Sequence, residues 1–304
     1  MAFQVIRTES LGSADEGQLR SWCSELEVGN VLYFPMTPVP IPPDDLAFLL
    51  GQQQTAGSLH KNIAYKPDCD KLTGAEVRSA APDEVARLRE VMRRYSRNVE
   101  TFVTRFLAPY ERRWRLDYAS FRPFEEKGRD LPLHRRNDLL HTDAFPTRPT
   151  HGWRILRFFH NIHPTRTRNW IVGEPFAKVV GAFAGRLGTP QPESPIVSAG
   201  KRVARAISVT SLVPQWKRGP YDDFMMRLHN AMKEDSAFQA RCAREEIQFS
   251  AGSSWMVYTD TVPHAVMSGQ YALEQTFLVD PEAMVMRDSA PIAVLEKIAG
   301  ARLS

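Results

Sequence analysis

The pattern of apolar positions is most regular in one stretch of the chain's first half. Between residues 83 and 108 apolar side chains recur at steps of three and four, and several arginines lie on the opposite face. Pro82, followed by two acids, is a good helix start. The pattern therefore predicts a long amphipathic helix over roughly 83–108. Its apolar positions are Val85, Leu88, Met92, Tyr95, Val99, Phe102 and Phe106.

After this helix the pattern changes to short β-prone runs separated by Pro and Gly. Two helical stretches, near 176–187 and 220–238, interrupt these runs. Because strands and helices do not alternate regularly, an antiparallel sandwich or barrel with supporting helices is favoured over a parallel sheet. A double-sheet jelly roll, in the α+β class, fits well. The predicted strands are 116–122, 153–161, 169–172, 206–212, 254–258 and 273–279.

Length and composition indicate an ordinary folded enzyme or binding protein. The 304 residues, 24% charged and with 16 Phe, exclude disorder and low-complexity assembly. No apolar run approaches 18 residues, and no secretion signal is recognisable at the start. We expect one domain over 1–304, with an N-terminal extension over 1–110 and a jelly-roll core over 111–285 that carries the helical insert 220–238. The three scattered cysteines argue against disulfides, so a cytoplasmic location is expected.

Basic residues are concentrated in two segments that contain no acid. Residues 144–173 hold five arginines, and residues 194–221 hold five further bases, although the formal net charge is only +4. Such segments favour an anionic ligand, such as a phosphate or carboxylate. The alternative is a solvated basic face that only keeps the protein in solution.

Two histidines and an aspartate have the pattern of a metal site. In an extended segment, His141 and Asp143 project to the same side, because side chains alternate along a strand. His264 follows Pro263 after an apolar strand and could complete a 2-His-1-carboxylate triad, which leaves coordination positions open on iron. The H-x-D pattern alone is weak, and hydrogen-bonded structural histidines remain an alternative.

Several ordered blocks between about residues 115 and 280 resemble the Kdo 3-hydroxylase family of Gram-negative bacteria. The blocks cover residues 136–150, 152–164, 170–176, 220–229 and 262–277. The resemblance implies a double-stranded β-helix whose iron is held by His141, Asp143 and His264, which would then also be the catalytic residues. It implies an Fe(II)/2-oxoglutarate-dependent dioxygenase that uses O₂, releases succinate and CO₂, and hydroxylates the C3 position of the sugar 3-deoxy-D-manno-oct-2-ulosonic acid (Kdo).

The sequence departs from a common pattern of such enzymes at the arginine that pairs with 2-oxoglutarate. The positions ten and eleven residues beyond His264 are Glu274 and Gln275, so the cation must come from elsewhere. Arg157 and Arg154, in the strand after H-x-D, are the candidates. Three residues apart, they face opposite sides of a strand, and we favour Arg157. A surface position for Arg157 is the alternative.

Weaker candidates surround these cations. Asn161 could contact the co-substrate or simply cap a turn, and Gln275 or Thr276 could add a hydrogen bond.

The substrate implied by the resemblance is Kdo-lipid A or a similar anionic glycolipid. Its carboxylate and phosphates could be received by Arg148, Arg166, Arg168 and Arg202. Such a substrate would allow peripheral contact with the inner face of the cytoplasmic membrane. The aromatic residues follow no nucleic-acid-binding pattern, so we expect no nucleic-acid partner. A 2-oxoglutarate hydroxylase of another anionic substrate, or a non-catalytic metal- or anion-binding β-domain, are the alternatives.

Overall fold

The architecture is a pair of facing β-sheets with helices packed on the larger one. The computed structural model describes residues 3–7, 11–52, 63–74, 82–192 and 218–303. The predicted strand 206–212 and Arg202 lie outside these ranges. The described strands are β1 (Phe3–Val5), β2 (Val31–Phe34), β3 (Ile63–Lys66), β4 (Lys71–Thr73), β5 (Trp114–Arg122), β6 (Arg154–Asn161), β7 (Arg168–Val172), β8 (Glu245–Phe249), β9 (Ser254–Tyr258), β10 (His264–Ser268) and β11 (Ala272–Val279).

The helices belong to three parts of the chain. The described α-helices are α1 (Glu16–Glu27), α2 (Pro43–Gly51), α3 (Pro82–Phe106), α4 (Phe176–Leu187), α5 (Pro220–Glu234), α6 (Ser236–Arg241) and α7 (Pro291–Ala299). The predicted long helix is confirmed as α3, and the helical stretch 176–187 as α4. The stretch 220–238 is two helices, because Asp235 ends α5 and its carboxylate caps α6 by accepting from the Phe238 amide.

The strands form one large and one small sheet. The large sheet has the order β1-β2-β9-β6-β11-β5-β3-β4, and the small one has the order β10-β7-β8. Except for β1 with β2, the described pairs are antiparallel, as predicted. This is the expected α+β fold with a jelly-roll core and supporting helices; the two sheets do not close on each other within the described ranges.

The large sheet has two apolar faces with different neighbours. Along β6, Leu156 and Phe158 point to the helix side and pack into a core shared with α1 and α3. Phe159 points to the small sheet, where its ring lies 5.2 Å from that of Trp255 and 4.8 Å from that of Trp170. Both faces of this central strand are buried, which explains why apolar residues occur at adjacent positions, as at Phe158 and Phe159.

Several elements were not predicted from the pattern. β2, β3, β4, β8 and β10 are short, and their apolar residues do not form a long alternating run. Four described strands from the first 73 residues join the same large sheet as β5 and β6. Pairing with distant strands, rather than local pattern, makes these segments extended.

Candidate metal centre

Three side chains converge between the two sheets, at one end of the small one. His141, Asp143 and His264 each offer one possible ligand atom, and these atoms lie within 4.8 Å of one another. His264 begins β10, and the segment with His141 pairs with it through an isolated bridge. The two backbone hydrogen bonds of this bridge, 3.1 and 2.9 Å long, place both histidines side by side.

The two imidazoles are oriented by the same kind of hydrogen bond. His141 donates from Nδ1 to the Leu139 carbonyl at 2.7 Å, and His264 donates from Nδ1 to the Val262 carbonyl at 2.8 Å. In each ring the remaining nitrogen, Nε2, therefore carries the lone pair. Such backbone contacts commonly fix the tautomer and orientation of metal-binding histidines.

Burial keeps both imidazoles neutral. Loss of hydration lowers the pKa of His141 well below its usual range, and the neighbouring His264 and Lys233 lower it further. Burial also lowers the pKa of His264, against the opposing effect of Asp143. Neutral imidazoles are the form that binds a metal ion.

Asp143 supplies the negative charge of the cluster. Burial alone would raise its pKa, but the neighbouring positive charge, chiefly that of Arg157, outweighs burial and holds the pKa below its usual range. One oxygen, Oδ1, lies 3.8 Å from His141 Nε2, and the other, Oδ2, lies 3.1 Å from Arg157 Nη2. Two neutral imidazoles and one ionised carboxylate are the donor set of the facial triad that binds non-heme Fe(II), so these residues fit that metal.

Arg157 lies on the same side of β6 as the cluster. Its side chain is 12% exposed and pairs through Nη1 with Glu274 at 2.9 Å, while its Nε has no hydrogen-bond partner among the described residues. Arg122 pairs with the same glutamate at 2.8 Å. Burial raises the pKa of Glu274, but the two arginines outweigh it and lower the pKa overall. Two guanidinium groups thus share one carboxylate beside the candidate metal centre.

A second carboxylate extends this network away from the cluster. Glu126 pairs with Arg122, Arg129 and Arg168 at 3.4, 2.9 and 3.4 Å. Burial opposes ionisation of Glu126, but the three arginines prevail and lower its pKa to about 2. The linked ion pairs therefore extend from Arg122 at the end of β5, through Glu126, to Arg168 at the start of β7.

Arg154 has a different role from the one expected. It lies three residues before Arg157 and hence on the opposite face of β6. Its guanidinium is fully buried, donates from Nε to Asp260 at 2.8 Å, and lies 4.1 Å from the centre of the Tyr258 ring. Arg154 was the less favoured of the two candidates for 2-oxoglutarate, and this candidate is corrected, because its side chain lies on the face of β6 directed away from the cluster.

Asn161 and Gln275 also contact the protein rather than the cluster. The Asn161 amide donates to the backbone carbonyls of three residues, Arg166, Phe249 and Ser250, which is the turn-holding alternative. Gln275 shares the helix-side face of β11 with Leu273 and Phe277, and donates to the Asp117 carbonyl at 2.8 Å. The expectation that these two side chains contact the co-substrate is corrected, because both amides bond backbone carbonyls of the protein. Thr276, in contrast, pairs in register with Arg157 and lies on the face of β11 directed toward the cluster.

The arginines expected to bind substrate are dispersed. Arg148 pairs with Asp117, and its guanidinium lies 4.3 Å from the ring centre of Phe145, beside Arg157. Arg166 is 64% exposed near the far end of β6. Arg168 is 1% exposed and donates to the Gly269 carbonyl at 2.9 Å; burial lowers its pKa to about 10. The expectation that Arg168 contacts substrate is corrected, because a side chain enclosed in this way cannot reach a large ligand.

Sequence reasoning did not single out four residues near the cluster. Arg122 ends the predicted strand 116–122. The available signal was that Arg122 lies on the same face of this strand as Ser120, which pairs in register with Glu274. His229, Lys233 and Gln239 lie on α5 and α6, and they reach the cluster segment only through the tertiary fold: His229 and Gln239 bond its backbone, and Lys233 donates to the His134 carbonyl at 3.0 Å. Burial lowers the pKa of Lys233 to about 8, against the attraction of Asp143 and Asp138.

Comparison with known proteins gives one family. The family model described as 3-deoxy-D-manno-oct-2-ulosonic acid (Kdo) hydroxylase matches residues 11–302. The chain is similar to the apo structure of the Kdo hydroxylase KdoO, a non-heme Fe(II) alphaketoglutarate-dependent dioxygenase, with 31% identity and a TM-score of 0.84 over 100% of this chain and 97% of that one. The same enzyme in complex with cobalt(II) matches with 32% identity and a TM-score of 0.85, over the same shares of the two chains. No curated protein matches.

Proposed function

The chain belongs to the Kdo hydroxylase family, and from this premise we propose that it hydroxylates the Kdo sugar of Kdo-lipid A at C3. The reaction requires Fe(II), 2-oxoglutarate and O₂, and it releases succinate and CO₂. The observation that carries this proposal is the convergence of His141, Asp143 and His264 with their ligand atoms within 4.8 Å of one another.

The three residues of this triad would hold the iron. Bound there, Fe(II) supplies activation of O₂ with oxidative decarboxylation of 2-oxoglutarate. The protein contributes neutral imidazoles fixed by the Leu139 and Val262 carbonyls and a carboxylate kept ionised by Arg157. The two histidines are buried and the Asp143 side chain is 13% exposed, which limits the access of water.

Arg157 would bind a carboxylate of 2-oxoglutarate. It faces the triad, it is largely buried, and its Nε is free to donate. Arg122 lies across Glu274 and adds a second positive charge. A guanidinium forms two parallel hydrogen bonds to a carboxylate, which fixes the orientation of the co-substrate as well as its affinity.

The anionic substrate reaches the triad on the side of Phe145 and Arg148. The Phe145 ring lies between the guanidinium groups of Arg148 and Arg157, at 4.3 and 5.7 Å from their central carbons. Arg148 is half-buried, so it can exchange Asp117 for an anion of the glycolipid. No helix within the described ranges is both long and apolar enough to cross a bilayer, and we propose peripheral contact with the membrane that contains the lipid.

The test is product analysis with substrates that contain Kdo, lipid A or both. Purified protein with Fe(II), ascorbate and 2-oxoglutarate is given Kdo-lipid A, lipid A without Kdo, or free Kdo. We expect succinate release together with one added oxygen atom on the Kdo of Kdo-lipid A, and loss of both in His264→Ala. Equal turnover with lipid A that lacks Kdo, or succinate release without any oxygen on Kdo, would contradict the proposal.

A further inference from the structure

The short segment that carries two of the proposed ligands is held on one side by a strand and on the other side by side chains. His141 exchanges two backbone hydrogen bonds with His264 of β10. Neighbouring residues in an extended segment direct their backbone groups to opposite sides, so Leu140 and Thr142 face away from β10. In a sheet a further strand would pair with them, but here α5 and α6 occupy that side.

The side-chain amide of Gln239, in α6, bonds Leu140 in the way that the backbone of a neighbouring strand would. Its Oε1 accepts from the Leu140 amide at 2.9 Å, and its Nε2 donates to the Leu140 carbonyl at the same distance. The Nε2 also donates to the Met232 carbonyl at 2.8 Å, which ties the side chain to the end of α5. The amide thus satisfies both polar groups of the residue immediately before His141.

His229 of α5 bonds the backbone of the residue that follows His141. Its Nδ1 donates to the Thr142 carbonyl at 2.7 Å, and its ring packs edge-on against the His141 ring with centres 5.0 Å apart. The Asp143 amide completes the anchoring by donating to the Thr259 carbonyl at 2.8 Å. The amide and carbonyl of Leu140, the carbonyl of Thr142 and the amide of Asp143 therefore each have a defined partner.

We propose that Gln239 and His229 are positioning residues of the metal centre, which set the backbone of residues 140–143 so that His141 and Asp143 point at one ion. The inference rests on the proposed function, since it assumes the triad. Neither side chain is itself a proposed ligand: Gln239 bonds only backbone groups among the described residues, and the described His, Cys, Asp and Glu side chains whose possible ligand atoms converge are His141, Asp143 and His264, without His229. Loss of such outer contacts typically weakens metal binding about 10- to 100-fold.

The test is the affinity of the full-length protein for Co(II), measured anaerobically by titration with its visible d–d absorption. Gln239→Met keeps the length of the side chain and removes both bonds to Leu140. His229→Phe keeps the ring and removes the bond to Thr142, whereas His229→Asn keeps a donor near the position of Nδ1. Gln270→Met is the matched control, since Gln270 is also half-buried and donates to a backbone carbonyl, that of Pro123, at 2.8 Å.

We expect about 10- to 100-fold weaker Co(II) binding and an altered d–d spectrum in Gln239→Met and His229→Phe, with partial recovery in His229→Asn and none of these changes in Gln270→Met. Circular dichroism shows that each variant is folded at the titration temperature, and the two sites keep the test informative if one variant does not fold. Wild-type affinity and spectrum in both folded variants, or identical losses in His229→Asn and His229→Phe, would overturn the positioning role. If wild type itself shows no Co(II) binding that depends on His141, the proposed function fails, and this inference fails with it.

Discussion

At the scale of single residues, the charged groups beside the triad differ in what they already contact. The guanidinium of Arg154 is paired with Asp260, whereas Arg157 retains an Nε without a hydrogen-bond partner among the described residues. Both are buried arginines of one strand, so burial alone does not distinguish a binding group from a structural one. Position does, because Arg157 lies on the face of β6 that is directed toward Asp143, whereas Arg154 lies on the opposite face.

Replacing Arg157 should therefore weaken 2-oxoglutarate binding. In Arg157→Gln we expect the affinity of the Co(II)-loaded protein for 2-oxoglutarate to fall roughly 10- to 100-fold, as for other hydrogen bonds to charged groups. Anaerobic calorimetric titration measures it. Arg97→Gln, on the exposed face of α3, is the control and should bind as wild type does. Unchanged affinity in Arg157→Gln would assign the carboxylate to another cation, with Arg122 the next to test.

A buried histidine outside the triad should make stability depend on pH. Burial lowers the pKa of His160 from 6.5 to about 3. Below pH 6.5 the unfolded chain binds a proton at this residue and the folded chain does not. The contribution is therefore fully present above pH 6.5, and it falls by about 1.4 kcal/mol per pH unit as the pH drops toward 3.

His160→Phe should remove this contribution, since phenylalanine does not titrate and can keep the ring contact with Tyr95. Urea unfolding at several pH values between 7 and 4 measures it on the metal-free protein. We expect the difference in unfolding free energy between the variant and wild type to move in favour of the variant as the pH falls. A difference that is constant over this range would show that His160 is protonated in the folded state.

At the scale of elements, α3 provides much of the helix-side core. Phe106 stacks on Trp22 with ring centres 5.6 Å apart and also contacts the rings of Phe34 and Phe102. Phe106→Ala should lower the free energy of unfolding by roughly 3–5 kcal/mol, because it leaves a cavity in a dense aromatic cluster. Denaturant titration monitored by tryptophan fluorescence measures the change. Arg97→Ala on the outer face of α3 should change stability by less than about 0.5 kcal/mol, and equal losses in both would contradict this packing.

Strand parity explains which site residues could be predicted from the sequence. The alternation along β6 correctly separates Arg157 from Arg154, since it depends only on local geometry. Along β11 the same reasoning needs the register with β6, and this register places Glu274 and Thr276, not Gln275, on the side of the triad. Register is set by pairing between distant strands, which one sequence does not reveal. Gln239 and His229 were missed for the same reason, because helices far along the chain bring them to residues 140–143.

At the scale of the whole molecule, the two faces of the large sheet have different surroundings. Its helix side packs against an apolar core, while the other side carries the linked charges of β5, β6 and β11 and faces the triad. Among the described residues this network joins four arginines to three carboxylates, so one positive charge is in excess; the arginines are Arg122, Arg129, Arg157 and Arg168, and the acids are Glu126, Asp143 and Glu274. Such an excess favours a dianionic co-substrate beside the metal ion.

The main helices and strands could be predicted from the sequence more readily than the way in which the large sheet is completed. The long helix and the main strands have clear periods, so α3, β5, β6, β9 and β11 were predicted to within two residues. The strands of the first 73 residues were not, since their extended conformation depends on neighbours such as β9 and β5. Local pattern thus predicts the elements, and long-range pairing decides how the sheet is completed.

The most direct test of the account is an anaerobic titration of the full-length protein with Fe(II) and 2-oxoglutarate, followed by visible absorption. A bidentate 2-oxoglutarate on Fe(II) gives a weak metal-to-ligand charge-transfer band. We expect this band to saturate at one Fe(II) per chain, to be absent in His141→Ala and His264→Ala, and to persist in His160→Phe, whose histidine lies outside the triad. Absence of the band in wild type, or a band of equal strength in His141→Ala, would contradict the assignment of His141, Asp143 and His264 as the iron ligands.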